Sequence, residues 1–315
     1  MSQVVPQSGA LLVDKPEGLT SSAVVQKIKA RFGFKRLGHA GTLDPIATGL
    51  LVVLFGKATR LQSLLLEGKK SYEGVFLLGR ATDTDDISGN TISEDCELEP
   101  LRTACARDRG IERELERAFV GEILQVPPEY SAIKIAGQRS YKLARQGEKV
   151  VLSGRTVTIH AMSLEFIDAP YELAYRMTVS KGTYVRAVAR DIGKYLGVPA
   201  CVKSIRRVAS CNFLVSEAVT LERLLEAPLI PNWFLDMERL VEHLPRITFE
   251  ERDSQLLKMG NQNPLRTTPA IESAAAIASG NAEVAALFDN FNHFFGLARK
   301  VGAKDGQRWE LSLIV

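Results

Sequence analysis

The chain has 315 residues, 45% of them apolar and 24% charged, close to soluble globular averages, which excludes wholesale disorder. At roughly 100–200 residues per domain, the length predicts two domains. Forty Lys and Arg against 37 Asp and Glu leave a net charge of +3, too small a total to mark a polyanion-binding protein by itself.

The longest charge-free stretches, 1–13 and 45–56, fall short of the ~18 apolar residues a membrane-spanning helix needs. The first also lacks the basic start of a secretory signal, so the expectation is a cytoplasmic protein with no membrane contact. Cys96, Cys105, Cys201 and Cys211 form no C-x-x-C pair, and His39, His160, His243 and His293 are scattered singly. Such spacing does not gather the three or four ligands of a zinc site, and no metal is expected.

In chain order, Ala10–Asp14 reads as a short strand, followed by a turn over Lys15-Pro16-Glu17-Gly18. Thr20, Ser21 and Ser22 offer capping hydroxyls to a helix whose Val24, Val25, Ile28 and Phe32 share one side. Its other side presents Lys27, Lys29 and Arg31. A glycine-punctuated loop runs over Gly38–Pro45, and Leu50–Phe55 has the length of a buried strand. Lys69–Gly79 and Thr156–Phe166 alternate as half-buried strands, Tyr175–Ser180 is a further strand, and Ile111–Phe119 and Val185–Leu196 are amphipathic helices. Val219–Leu240 is helix-like, with Pro228 and Pro231 as interruptions.

Strands and helices mix without a regular βαβ rhythm. That argues for an α+β fold with a mixed, largely antiparallel sheet flanked by helices. A boundary falls near Glu242–Ile247. Beyond it, Val284–Phe288, Phe294–Val301 and Trp309–Val315 are short strands, and Ser273–Ala286 is an alanine-rich helix or loop. This predicts a small, β-rich C-terminal module over 244–315, following a large domain over 1–243.

Charge is unevenly distributed. Gln26–Arg36 holds five bases and no acid, Lys181–Ser210 holds seven bases against Asp191 alone, and Pro128–Arg155 holds six against Glu129 and Glu148. Thr82–Glu99 holds seven acids and no base. Basic blocks of this kind suit either a polyanion footprint, through counterion release, or solvated helix faces.

The stretch Arg36–Gly49 carries the chemistry. Gly38 and Gly41 permit close approach of a ligand or another backbone. Pro45 biases Asp44 towards an extended conformation. Asp44 is the one acid in a loop fed by bases, placed to act as a nucleophile or base. Spacing alone also admits Asp44 as the N-cap of a helical turn with Pro45 first.

Gly38–Gly49 resembles the signature loop of the bacterial tRNA pseudouridine-55 synthases, the TruB family. So do Asp14–Gly18, Lys70–Glu73, Thr82–Asp86 with Gly89, Gln125–Pro128 with Tyr130–Lys134, and Ser180–Arg186, in the family's order. The resemblance implies a pseudouridine synthase fold and an isomerase that needs no cofactor. Its substrate would be uridine in the T-loop of tRNA. It implies Asp44 as nucleophile, Arg186 as the arginine paired with it, and Tyr72 against the flipped nucleotide as a base. His39 would fill the space left by the base, Tyr184 would line the pocket, and Asp86 would lie near the target.

Lys15 would support the floor of the site. The 128–155 segment, with Lys134, Tyr141 and Arg145, resembles an insertion that clamps the RNA stem-loop and orders on binding. From Pro245 onward, with Phe294–Ala298, the tail resembles a PUA-type RNA-binding module. The implied partner is the T-arm stem-loop, bound by a monomer with no obligate protein partner. A tRNA-folding chaperone, or a synthase acting on other RNA in a guide-RNA complex, are the alternatives.

Overall fold

The computed structural model describes residues 6–95, 98, 101, 109–130, 134–135, 138–139, 152–168, 170–227, 231–267, 283–302 and 308–315. The strands of its first half are β1 (Gly9–Lys15), β2 (Leu37–His39), β3 (Thr48–Phe55), β4 (Lys70–Leu78), β5 (Arg80–Thr82), β6 (Thr91–Glu94), β7 (Gly121–Gln125), β8 (Lys134–Ile135) and β9 (Gln138–Arg139). Those of the second half are β10 (Arg155–Asp168), β11 (Glu172–Val179), β12 (Ala200–Ser210), β13 (Phe213–Leu214), β14 (Val219–Thr220), β15 (Phe234–Leu235), β16 (Arg246–Phe249), β17 (Val284–Asp289), β18 (Phe294–Val301) and β19 (Arg308–Ile314).

One large sheet runs in the order β14-β1-β3-β12-β4-β11-β10-β7, with β2, β13 and β15 attached at its sides. The β1–β14 and β3–β12 pairs are parallel and the others along that path antiparallel. The fold is thus α+β with a mixed, largely antiparallel sheet. A second sheet, β16-β17-β18-β19, forms the C-terminal part.

Strict alternation along β1 and β3 sorts their side chains onto two faces. Leu11, Val13, Leu51 and Val53 pack with Val24, Val25 and Ile28 of the Ser21–Phe32 helix and with Val188 and Ile192 of the Val185–Leu196 helix. Ala10, Leu12, Leu50, Val52 and Leu54 face the other way, onto Phe213, Leu240 and Val241 and onto Ala286, Phe288, Phe294 and Leu297 of the second sheet.

The Ser21–Phe32 helix starts at Thr20, whose hydroxyl accepts from the Ala23 N–H at 3.1 Å, and stops at Gly33 with φ +69°. The Val185–Leu196 helix stops in the same way at Gly197.

Two expectations need correcting, and one strand was not expected. Ala200–Ser210 is a central strand that its sequence pattern hides, because register shifts at Val202/Ser204 and Arg207/Ala209 interrupt the two-residue period. Val219–Leu240 is not one helix. Thr220 and Asp236 cap separate short helices, Leu221–Glu226 and Met237–Val241, with β14 and β15 contributing to the sheet. Val284–Ala286 belongs to a strand, while 273–282 lies outside the described residues.

One row of the large sheet reads Lys15, Gly49, Arg207, Tyr72 and Met177 across β1, β3, β12, β4 and β11. Gly49, at φ +99°, permits the parallel approach of β3 to β12. A Cβ there would lie 2.3 Å from the Arg207 carbonyl oxygen. Gly49→Ala is expected to lower the unfolding free energy by ~1–3 kcal/mol or more, measured by urea denaturation.

Candidate active site

Asp44 sits in a turn closed by the Ala47 N–H donating to the Asp44 carbonyl at 3.0 Å. No helix follows, so Asp44 is not a helix N-cap. The flanking backbone is held from three sides. The Ser21 hydroxyl accepts from the Leu43 N–H at 2.8 Å and lies 3.1 Å from the Leu43 carbonyl. The Gly18 N–H and Lys15 Nζ both donate to the Pro45 carbonyl, at 2.8 and 3.3 Å. Arg207 donates to the Gly41 and Thr42 carbonyls at 3.1 and 3.4 Å, and to Leu50 O at 2.7 Å.

The Asp44 carboxylate meets Arg186. Arg186 Nε donates to Asp44 Oδ2 at 2.8 Å. The arginine side chain is 5% exposed and the aspartate 36%, so the cation is locked inside while the anion opens to solvent. Arg186 is held further by Nη1 to Thr84 O at 2.7 Å and Nη2 to Tyr130 O at 2.9 Å. Each of its three nitrogens thus has an acceptor.

Asp86 stands behind this pair. Its Oδ2 lies 3.9 Å from Arg186 Nε, and its Oδ1 accepts from Thr84 Oγ1, Ser88 N and Ser88 Oγ at 2.9, 3.0 and 2.5 Å. It is 5% exposed; its carboxylate contacts are to its own turn and to Arg186, and its backbone bridges to Val202. Neighbouring Asp85 pairs with Arg190 at 3.0 Å; burial raises its pKa.

Lys15 is fully buried, with Nζ donating also to Pro16 O and Leu19 O at 2.8 and 2.7 Å. Burial lowers its pKa to about 8, against the opposing pull of Asp44. His39 lies on β2, in register with Val53. Burial, and then the Arg207 charge, lower its pKa. Tyr72 is 9% exposed, within the core of the large sheet. Tyr184 is not a strand residue; it is the extended, half-buried N-cap position of the Val185–Leu196 helix. Lys134 contributes backbone to β8, but its side chain, and Tyr141 and Arg145 entirely, lie outside the described residues.

Sequence reasoning missed two buried residues that hold the site: Arg207, 1% exposed, and Gln125, 0% exposed. Arg207 shares β12 with Lys203 and Arg206, and nothing in the sequence separates the buried base from the other two. The seven bases of Lys181–Ser210 are not a free surface. Lys181 pairs with Glu67, Arg186 with Asp44, Arg190 with Asp85, Lys194 with Asp191, Lys203 with Glu172 and Arg206 with Asp14. Arg207 is held by carbonyls. Among the described residues, Lys27, Lys29, Lys35 and Arg36 are exposed and carry no ion pair.

The fold has a solved counterpart in the crystal structure of a Cbf5-Nop10-Gar1 complex. The match has a TM-score of 0.66 at 23% identity and covers 98% of this chain and 85% of that one. The sequence profile described as "TruB family pseudouridylate synthase (N terminal domain)" matches residues 29–185. The tRNA pseudouridine synthase B of Ruegeria sp. (strain TM1040) is 41% identical over 261 residues, 81% of this chain and 82% of that protein. The protein of the same name from Dinoroseobacter shibae is 36% identical over 284 residues, 89% of this chain and 90% of that protein. The chain belongs to the TruB family of pseudouridine synthases.

The lowered pKa of His39 has a consequence for stability. Below the ordinary imidazole value of 6.5 the unfolded chain binds a proton that the folded one resists. The unfolding free energy therefore falls as pH drops through that value. In urea titrations between pH 6.5 and about 5.5, His39→Gln is expected to flatten this slope relative to the unmodified chain.

Proposed function

We propose that the chain is a tRNA pseudouridine synthase, an isomerase that converts uridine to pseudouridine at position 55 in the T-loop. The observation that carries this reading is the pairing of a solvent-accessible, half-buried Asp44 carboxylate with a buried Arg186 at 2.8 Å. The isomerisation breaks the N1–C1′ bond and forms a C5–C1′ bond. A proton leaves C5 and one is gained at N1, so the change is redox-neutral and the chemistry needs no cofactor. Asp44 is the nucleophile in this scheme, and Arg186 holds its carboxylate in one orientation.

A uridine within a folded loop reaches such a carboxylate only by leaving its stack, at a cost of a few kcal/mol. Tyr72 lies against the everted nucleotide as base, Tyr184 lines the pocket and His39 fills the gap left in the loop. Lys15 supports the Asp44 turn through Pro45 O. Asp86, bonded within its own turn and 3.9 Å from Arg186, lies near the target nucleotide in this scheme.

The partner in this reading is the T-arm stem-loop, bound by a monomer in the cytoplasm. Residues 1–243 form the synthase domain and 244–315 a PUA-like RNA-binding module. The 128–155 segment, with Lys134, Tyr141 and Arg145, grips the stem. The exposed Lys27, Lys29, Lys35 and Arg36 favour a polyanionic partner.

The test is release of the C5 hydrogen from a T-arm stem-loop by the purified chain. Asp44→Asn is expected to lower turnover by ~10³-fold or more while RNA affinity stays within a few-fold. Substantial turnover in Asp44→Asn removes the nucleophile assignment. Tight binding without turnover in the unmodified chain favours a chaperone instead.

A further inference from the structure

Gln125, the last residue of β7, and Arg155, the first of β10, are direct cross-strand partners. The two residues therefore face each other where the 128–155 segment departs from the sheet and rejoins it. Gln125 is fully buried, and a buried primary amide needs both of its ends satisfied. Here both ends go to one residue. Gln125 Oε1 accepts from the Tyr184 N–H at 2.8 Å, and Gln125 Nε2 donates to Tyr184 O at 3.2 Å.

Arg155 reaches the same loop from the neighbouring strand. Its Nη2 donates to Gly182 O at 2.5 Å, and its guanidinium carbon lies 4.8 Å from the centroid of the Tyr184 ring. Its Nε is buried without a hydrogen-bond partner among the described residues. A guanidinium held with one donor unsatisfied is not placed for packing alone; its stacking on Tyr184 is what the geometry preserves.

Tyr184 is the N-cap residue of the Val185–Leu196 helix and makes no side-chain cap hydrogen bond. The entry of that helix is therefore fixed from outside, and Arg186 stands two residues further on. The chain beyond Gln125 continues to grip the helix. Val126 O accepts from Arg190 Nη2 at 2.6 Å and Tyr130 O from Arg186 Nη2 at 2.9 Å.

We propose that Gln125 and Arg155 form a single brace on the Gly182–Tyr184 loop that sets the Tyr184 ring and the Arg186 guanidinium for reaction with the everted nucleotide. They are positioning residues, acting through Tyr184 and Arg186, and the proposal rests on the functional reading above. A brace of this kind governs the reaction step. By contrast, an Arg155 that served as a phosphate contact would govern RNA binding.

The experiment compares the full-length chain with Gln125→Met, Arg155→Met, Arg155→Lys and the double Met variant on a T-arm stem-loop. Steady-state turnover and urea unfolding are measured for each. Each Met variant is expected to lose ~10-fold or more in kcat, since small misplacements at a reacting centre are amplified, with KM for RNA within about twofold. The double variant should fall within about twofold of the weaker single one, because both residues act on one loop. Arg155→Lys keeps the positive charge but not the planar fork, and should behave like Arg155→Met.

Unchanged kcat in either Met variant, a loss confined to KM, or wild-type behaviour in Arg155→Lys overturns the brace. If Gln125→Met fails to fold, the two Arg155 variants decide the question by the same criteria. An inactive unmodified chain overturns the functional reading itself, an outcome distinct from an active chain whose variants are also fully active.

Discussion

An accessible carboxylate held by a buried guanidinium is the constraint on which the rest of the molecule depends. Arg186 can be buried only because its charge and donors are met by Asp44, the Thr84 and Tyr130 carbonyls and nearby Asp86. A buried ion pair is weak evidence of stability, since desolvation offsets most of its attraction. The pair is better understood as a device for direction. With the arginine immobile, the carboxylate has one supported orientation and keeps an open side towards solvent.

Beneath that pair the fold places cations without buried acids of their own. Lys15 Nζ is met by the carbonyls of Pro16, Leu19 and Pro45, Lys70 Nζ by those of Leu66 and Gly68, and Arg207 by those of Gly41, Thr42 and Leu50. Carbonyl dipoles solvate a charge without neutralising it, so the floor of the site stays positive. Burial lowers the pKa of Lys70, and the Arg207 charge acts in the same direction. In compensation, Lys15 and Arg207 tie the chain on either side of Asp44 to the sheet. A neutral side chain of similar size could fill the space but could not collect carbonyls from separate turns.

How much of this was legible in the sequence follows from where each signal resides. Val185–Leu196 and Gly110–Phe119 form the expected helices because their apolar spacing is local, and Leu11 and Val13 alternate with Leu12 as a strand requires. Asp44 and Arg186 were found through motifs, since 142 positions separate them and no periodicity connects them. β12 was missed because its bulges break the period that would reveal it. Arg207 and Gln125 were missed as holding residues for a related reason. Their importance lies in partners supplied by other elements, and a buried basic side chain reads, in sequence, like an exposed one. Lys134 is described only in its backbone, and Tyr141 and Arg145 lie outside the described residues.

The pairing of bases with acids also changes what the charge pattern means. The Lys181–Ser210 block was open to interpretation as a polyanion footprint, yet six of its seven bases are matched by carboxylates, most from distant elements, and the seventh by carbonyls. A polyanion approaching this face meets ion pairs whose fields largely cancel beyond a Debye length of about 8 Å. Steering must then come from bases that the fold leaves unmatched, as in Lys27, Lys29, Lys35 and Arg36. Those residues flank the chain that leads into the Asp44 loop, because the Ser21–Phe32 helix begins at the hydroxyl that holds Leu43. Charge internal to the fold fixes the geometry of the site, and charge left over from folding remains to attract its substrate.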